Sequence, residues 1–304
     1  MLRLYHYDML KIISLETPAN FSFKYTVGSH GWSDLPPFVL DEETGHLSYV
    51  FTDGKSGNSV SARISDGGGK LDIEIPQADF DRDKLIADVR HIFRLDDDLN
   101  DFYTAIANSN GLAWVANANA GRLLRSATVF EDLVKTLCTT NCSWALTRKM
   151  TLNLVEKIGL PAADGKKAFP TPEALGKVSE DFFRSEIRAG YRSPFFVELA
   201  ESVAGSRLDP ESWLRSELPT AELKKEIKSI KGIGDYAAEN LLKLLGRYDG
   251  LALDSWLRVQ FYKKHNREKV CADKKIEKHY RKFGVWQGLA MWCDMTEKWF
   301  DEKV

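Results

Sequence analysis

The sequence predicts an α+β protein: a small antiparallel sheet over residues 1–80, followed by a mainly α-helical body over residues 81–304. Two observations lead to this prediction. Apolar residues alternate with polar ones in the first eighty residues, whereas they recur at helical spacing from Asp81 onward. A chain of 304 residues is long enough for two modest domains, and we place the boundary near Gln77–Asp81.

Five runs in the first part have the alternation or the apolar character of strands, and glycine-rich turns such as Asp66–Gly69 separate them. The predicted strands are Leu10–Leu15, Phe21–Val27, Leu47–Phe51, Ser59–Ile64 and Leu71–Ile75.

The helical part begins with Leu85, Ile86, Val89 and Ile92, which share one face of a helix. Thr128–Glu131 has the spacing of a capping box and opens an apolar helix through Leu137. A second helix is predicted from about Cys142 to Ile158, and prolines mark the starts or ends of shorter helices at Pro170, Pro172, Pro210 and Pro219.

The composition is that of an ordinary soluble protein, with 43% apolar and 28% charged residues. We find no apolar run long enough for a membrane span or a signal peptide, so we expect a cytoplasmic protein if the source is bacterial and a nuclear one otherwise. The spacing of Cys138, Cys142, Cys271 and Cys293 fits neither a zinc site nor an iron-sulfur cluster, so we predict inert thiols and no metal.

Charge is unevenly distributed along the chain. The net charge of −2 argues against a protein that coats nucleic acid. Between Ala221 and Lys282, however, sixteen Lys and Arg residues stand against nine Asp and Glu residues. This excess indicates either one surface that meets phosphates or an ordinary solvated helix face.

The segment 221–246 has the pattern of two helices joined by the tight turn Lys231-Gly232-Ile233-Gly234. Glycines suit backbone angles that a side chain would obstruct, and Ile233 between them can point into the core. The amides that open the second helix are left unpaired, and such amides bind anions with help from the helix dipole. With Lys231 beside them they form a predicted clamp for a DNA phosphate, which would hold DNA regardless of its sequence.

A second feature follows about twenty residues later, where the apolar segment Gly250–Leu253 ends in Asp254 at the start of another helix. Asp254 can serve as the N-cap of that helix, as a catalytic carboxylate, or as both.

The hairpin and the Leu253-Asp254 step together resemble the helix-hairpin-helix (HhH-GPD) DNA glycosylase superfamily, in particular its 3-methyladenine and 8-oxoguanine DNA glycosylases. Segments such as Arg122–Arg125, Thr140–Ser143, Ala189–Arg192 and Gly284–Gly288 look similar as well. The resemblance extends over most of the helical part. It implies a base-excision enzyme that acts on duplex DNA, with Asp254 facing the positive charge that develops on the sugar.

The resemblance also implies roles for four further residues. Members that cut the DNA backbone carry a lysine two positions after the second glycine of the hairpin, and here that position holds Tyr236. Tyrosine cannot form a Schiff base, so we predict base removal without strand cleavage, with Tyr236 either at the flipped nucleotide or packed at a domain seam. Asn141 matches the wedge that fills the gap in the base stack, and Arg192, with Tyr191, matches contacts to the orphaned base. Without the resemblance, the sequence is equally consistent with Asn141 as a helix cap and with Arg192 as an ordinary surface residue.

Aromatic side chains suggest the base pocket, because aromatic faces attract electron-poor alkylated bases. The predicted pocket residues are Trp144, Asn240, Trp256, Trp286 and Trp292, although a core role is the alternative for each tryptophan.

We therefore predict a monofunctional DNA glycosylase for alkylated purines. An 8-oxoguanine or mismatch glycosylase is the first alternative, and a non-catalytic DNA-binding protein is the second. We expect damaged double-stranded DNA as the partner, a monomer, and no cofactor beyond the option of a monovalent cation at the hairpin.

Overall fold

The computed structural model describes residues 10–53, 57–76 and 80–300, and the bounds given below are read from it. Its N-terminal part is one antiparallel sheet of five strands in the order β1-β5-β4-β3-β2. Four of the predicted strands are confirmed, with ends shifted by at most two residues. The strands are β1 Leu10–Glu16, β2 Val39–Leu40, β3 Leu47–Thr52, β4 Ser59–Asp66 and β5 Lys70–Pro76.

The predicted strand at Phe21–Val27 is wrong: helix α1 occupies Phe23–Val27. The side chain of Ser22 accepts a hydrogen bond from the Tyr25 amide and caps this helix. The ring of Phe23 stacks on Phe93 with ring centroids 5.4 Å apart. Local capping and this packing outweigh the strand preference of so short an apolar run.

Apart from one isolated β-bridge between Pro161 and Lys167, the described residues after residue 80 are helix or loop, which fits the mainly α-helical body that was predicted. The sheet ends at Pro76 and the first of these helices starts at Arg82, so the change falls at the predicted boundary, of which Gln77–Asp79 lie outside the described residues. The helices are α2 Arg82–Phe93, α3 Asn100–Ile106, α4 Ala113–Asn117, α5 Val129–Thr139, α6 Trp144–Ile158, α7 Pro172–Leu175, α8 Glu180–Phe182, α9 Ser193–Ala204, α10 Thr220–Lys228, α11 Asp235–Leu244, α12 Ser255–His265, α13 Asp273–Tyr280 and α14 Gln287–Thr296.

The capping box predicted for α5 is half formed. The hydroxyl of Thr128 accepts a hydrogen bond of 3.1 Å from the Glu131 amide, as a capping residue should. The carboxylate of Glu131 does not return to Thr128 but lies 2.7 Å from the buried ammonium of Lys135. Tertiary ion pairing therefore takes the place of the second half of the local motif.

Two large hydrophobic cores fill the described part of the chain, beside a small cluster of Val50, Ala162 and Ala168. The first joins the sheet to α2–α4 and to the C-terminal segment from Leu244 to Met295. The second is formed within Val129–Leu245 by α5, α6, α9, α10 and α11. The sheet shares its core with helices from both ends of the helical body. The boundary between the two cores therefore does not coincide with the change from strands to helices at residue 80.

Two buried hydrogen bonds connect the cores at α5. The hydroxyl of Tyr49 on β3 donates to the Glu131 carboxylate at 2.5 Å, and the Trp32 indole donates to Asp132 at 2.7 Å. Burial raises the pKa of both carboxyl groups. We call these two contacts the α5 link.

All four cysteines are free, and Cys138 and Cys293 are buried. Among the described helices, none has both the length and the apolar character that a membrane crossing requires.

Candidate active site

The helix-hairpin-helix predicted at 221–246 is present: α10 and α11 are joined by the turn Ser229–Gly234. Gly232 has φ +89°, in the left-handed region that favours glycine. Ile233 is 5% exposed and belongs to the second core, so it anchors the turn as predicted. Gly234 is the N-cap of α11, and its surroundings are open.

We expect Gly232→Ala to destabilise the hairpin more than its backbone angle alone would require. A methyl group at Gly232 would lie 2.6 Å from the Phe195 ring and 2.7 Å from Leu137, whereas Gly165, with φ +83°, has open space around it. Gly165→Ala should therefore cost about 1–2 kcal/mol for the left-handed backbone. Gly232→Ala should cost about 1–3 kcal/mol more, because it also overpacks the core. Urea unfolding of the two variants measures the difference, and equal losses would mean that Phe195 and Leu137 yield without cost.

Positive side chains surround the hairpin but are partly paired. The Lys231 ammonium is exposed and lies 2.7 Å from a carboxylate oxygen of Glu198. Lys224 and Lys228 both contact Asp235 at the start of α11. No side chain caps the first amides of α11. The roles of Lys231, Gly232, Ile233 and Gly234 in holding a DNA phosphate remain predictions, as does a monovalent cation at this turn.

Asp254 is the N-cap of α12. Its Oδ1 accepts a hydrogen bond of 2.7 Å from the Leu257 amide. The preceding chain is held by Glu239, whose carboxylate accepts a 2.6 Å hydrogen bond from the Ala252 amide. One oxygen of Asp254 therefore fixes its position, and the half-buried carboxylate lines a large cavity.

Tyr236 stands beside Asp254 at the start of α11 and is 37% exposed. Burial of the phenol raises the pKa of Tyr236, and the charge and hydrogen bonding of the Asp254 carboxylate raise it further. The phenol therefore stays protonated and can donate to Asp254. The position carries no amine.

The cavity has a volume of about 860 Å³ and lies between the two cores. This volume is within the range of pockets that enclose small ligands. Its walls come from the segment after α1, from α5 and α6, from α11, and from the start of α12 together with α14. Among the lining residues are Gly28, His30, Gly31, Trp32, Leu123, Asn141, Trp144, Tyr236, Asn240, Lys243, Leu253, Asp254, Trp256, Trp292 and Trp299.

Four of the five predicted pocket residues line this cavity: Trp144, Asn240, Trp256 and Trp292. Trp286 does not. Its ring stacks on Tyr248 at 5.3 Å and packs against Phe102 at 5.5 Å, so it is a partly buried residue at the edge of the first core. Trp286 lies directly before α14 and packs against the first core, so the structure does not place it at this cavity.

Asn141 lies at the edge of the cavity, with φ +46°. It is not a helix cap, because Ser143 caps α6. Its amide nitrogen lies 3.4 Å from the hydroxyl of Tyr191, which is 51% exposed. Its position leaves the predicted wedge role open to test.

Arg192 is neither a surface residue nor free to reach DNA as it stands, since it is 3% exposed. Its guanidinium donates to the carbonyl and hydroxyl of Thr140 and lies over the ring of Tyr191. Arg192 therefore holds the segment that carries Asn141, and its predicted contact with the opposite base remains a prediction.

Lys243 and His30 are two of the cavity residues that the sequence analysis did not identify. Lys243 lies on α11 and is 2% exposed. Burial lowers the pKa of its ammonium to about 8, although the nearby carboxylates of Glu239 and Asp254 act to raise this pKa. Burial lowers the pKa of His30 to about 4, although its Nε2 lies 2.7 Å from the Leu124 carbonyl. Lys243 could have been found from the sequence, because it follows Tyr236 by seven residues on one face of a helix. His30 carries no comparable signal.

One cluster outside the cavity has the residue types of a metal site. His265, His279 and Asp294 place their candidate ligand atoms within 4.8 Å of one another. Asp294 is already engaged, because it accepts hydrogen bonds from Tyr280 at 2.5 Å and lies 2.9 Å from the Lys264 ammonium. These contacts give the cluster a structural role between α12, α13 and α14.

In its fold, the chain is similar to solved DNA glycosylases of the helix-hairpin-helix type. The solved 3-methyladenine DNA glycosylase of Archaeoglobus fulgidus has a TM-score of 0.74, with 19% identity over 95% of this chain and 99% of that one. The 8-oxoguanine glycosylase/lyase of Clostridium acetobutylicum has a TM-score of 0.71, with 20% identity over 94% and 97% of the two chains.

Among curated proteins, the probable N-glycosylase/DNA lyase of Methanothermobacter thermautotrophicus is 24% identical over 211 residues. The match spans 60% of this chain and 65% of that relative, just under two thirds of its length. No family model matches the chain. The resemblance inferred from the sequence is confirmed as a likeness of fold.

Proposed function

We propose that the protein is a DNA glycosylase that hydrolyses the bond between a damaged base and its sugar in duplex DNA. One observation carries the proposal: Asp254 is fixed by the Leu257 amide in the wall of a cavity large enough for a flipped base, beside the hairpin. The names of the structural neighbours, which are DNA glycosylases, support the same activity.

In this mechanism the carboxylate of Asp254 faces the sugar. Breaking the glycosidic bond leaves positive charge on the sugar ring, and a fixed carboxylate stabilises that charge. The hydrogen bond from the Leu257 amide keeps Asp254 oriented beside the protonated Tyr236 phenol, and a water molecule that attacks the sugar can give its proton to the same carboxylate. The flipped base occupies the cavity while Asn141, at its edge, fills the gap in the stack.

We propose further that base removal leaves the strand intact. Strand cleavage in this superfamily uses an amine at the position of Tyr236, and a phenol cannot form an imine with the sugar. The name of the curated relative includes DNA lyase activity, so this part of the proposal needs its own measurement.

Two substrate classes have support from different observations. The rings of Trp144, Trp256 and Trp292 favour alkylated purines, because aromatic faces attract cationic bases. The buried ammonium of Lys243 in the same cavity favours bases that present a carbonyl oxygen, such as oxidised or deaminated bases.

The test is a panel of duplex oligonucleotides, each carrying one alkylated, oxidised, deaminated or mismatched base. We expect the wild-type protein to release at least one of these bases and to leave a site that breaks only on treatment with alkali. No protein–DNA adduct should be trapped by borohydride. Tyr236→Lys serves as the matched control, because it restores the amine at this position. Strand breaks without alkali in the wild type would refute the monofunctional proposal, and the release of no base would favour a DNA-binding protein that is not an enzyme.

A further inference from the structure

Lys243 is a buried cation in the wall of the cavity. It lies on α11 on the same face as Tyr236 and Asn240, and all three line the cavity. Its ammonium donates a hydrogen bond of 3.1 Å to the Leu251 carbonyl and lies 5.6 Å from the centre of the Trp292 ring. An ammonium has three protons, so this bond leaves two others for a ligand.

The titratable groups that face Lys243 come from several elements. Glu239 lies on α11, Asp254 at the start of α12, Cys293 on α14, and His30 in the segment after α1. Glu239 is bound to Lys224 and to the Ala252 amide, and burial keeps His30 neutral and Cys293 a thiol at neutral pH. Lys243 is the one buried cation among the described residues that line the cavity, and it is protonated in most molecules below pH 8.

The position of Lys243 on α11 indicates which part of a nucleotide it would meet, because Asp254 lies beside the opposite end of this helix. Tyr236 contacts Asp254 at the start of α11, and Lys243 follows seven residues later, about 10 Å further along the helix axis. With the sugar at Asp254, a base directed into the cavity reaches toward Lys243.

We propose that Lys243 determines which damaged bases the cavity accepts: it donates to a carbonyl oxygen of a neutral base and disfavours the positive charge of an N7-alkylated purine. The inference rests on the proposed glycosylase function and refines its substrate class. A charge-assisted hydrogen bond in a buried site is worth more than a neutral one, and a like charge placed there is repelled. The tryptophans then serve as stacking surfaces for a neutral ring.

The experiment compares two lesions on one protein sample. Duplexes carrying 8-oxoguanine, which is neutral and has an added carbonyl, and 7-methylguanine, which is cationic, are incubated with the wild type, Lys243→Met and Lys243→Arg. Lys274→Met, at an exposed lysine on α13, is the control. Because both lesions are measured with the same sample, the ratio of the two rates does not depend on how much of a variant is folded.

We expect the wild type to release 8-oxoguanine faster than 7-methylguanine. Lys243→Met should lower the rate for 8-oxoguanine about 10- to 100-fold relative to that for 7-methylguanine, the loss expected for one hydrogen bond from a charged donor. Lys243→Arg should retain part of the preference, and Lys274→Met all of it. The wild-type rate for 8-oxoguanine should also fall as the pH rises through about 8, where Lys243 loses its proton, and Lys243→Met should lack this fall.

Three results would overturn the inference. Faster release of 7-methylguanine by the wild type would leave a glycosylase in place and reject the role of Lys243. Equal losses on both lesions in Lys243→Met would make the residue structural, and a borohydride adduct that disappears in this variant would make it a nucleophile. Release of neither base, nor of any other in the panel, would reject the proposed function itself.

Discussion

Asp254→Asn is expected to slow base release about 100- to 1,000-fold, the loss typical when one preorganised charge-stabilising group is removed from an active site. The fold should survive, because asparagine is as good an N-cap as aspartate and can still accept the hydrogen bond from the Leu257 amide. Single-turnover release of the preferred base measures the rate, and thermal unfolding measures the stability.

Asp254→Ala separates the two roles of this residue. It removes the carboxylate and the cap together, so it should lose as much rate as Asp254→Asn and about 1 kcal/mol of stability in addition. If Asp254→Asn keeps more than a tenth of the rate while Asp254→Ala unfolds easily, Asp254 is a helix cap and its catalytic role is refuted.

The largest loss of stability is expected for Arg94→Met. Arg94 is 1% exposed, and its guanidinium binds the carboxylate of Asp97 and donates to the carbonyls of Lys243 and Leu244 at the end of α11. Although burial works to raise the pKa of Asp97, the guanidinium groups of Arg94 and Arg125 hold it below its usual value. Removing Arg94 leaves the carbonyls of Lys243 and Leu244 without this donor and leaves Asp97 with only the weaker contact to Arg125 at 3.8 Å, so we expect a cost of about 3–5 kcal/mol.

Arg90→Met is the matched control for this prediction. Arg90 forms an ion pair with Asp96 on the surface close to Arg94, and exposed pairs of this kind contribute only about 0–1 kcal/mol. Urea unfolding of the two variants should therefore give clearly different midpoints. Similar midpoints would mean that water enters the space left by Arg94 and solvates Asp97.

The sequence was sufficient for four of the five strands because strands that bury one face alternate apolar and polar residues, as β5 does with Leu71, Ile73 and Ile75 in the core. The prediction failed at Phe21–Val27, because a helix of only five residues has too little periodicity to be distinguished from a strand. The two-residue strand β2 was missed for the same reason, since Val39–Leu40 is defined by its pairing with Leu47 and Ser48 and not by any pattern of its own.

The candidate site divides in a similar way. The hairpin and Asp254 were predictable, because tight turns and helix caps restrict the residue types that can occupy them. The cavity was only partly predictable, since its walls come from both cores and their arrangement depends on long-range packing. Trp286 and Trp292 are six residues apart and both pack against the first core, yet only Trp292 lines the cavity.

The α5 link connects the sheet to residues that line the cavity, so a change on the sheet can alter the shape of the cavity. Because Tyr49–Glu131 and Trp32–Asp132 are short buried hydrogen bonds between elements of different cores, the cores cannot slide past each other without breaking them. Trp32 itself lines the cavity, and so does Thr136, one turn beyond Asp132. We therefore expect that a substitution on the sheet that breaks one of these hydrogen bonds changes the width of the cavity, although the substituted residue lies outside it.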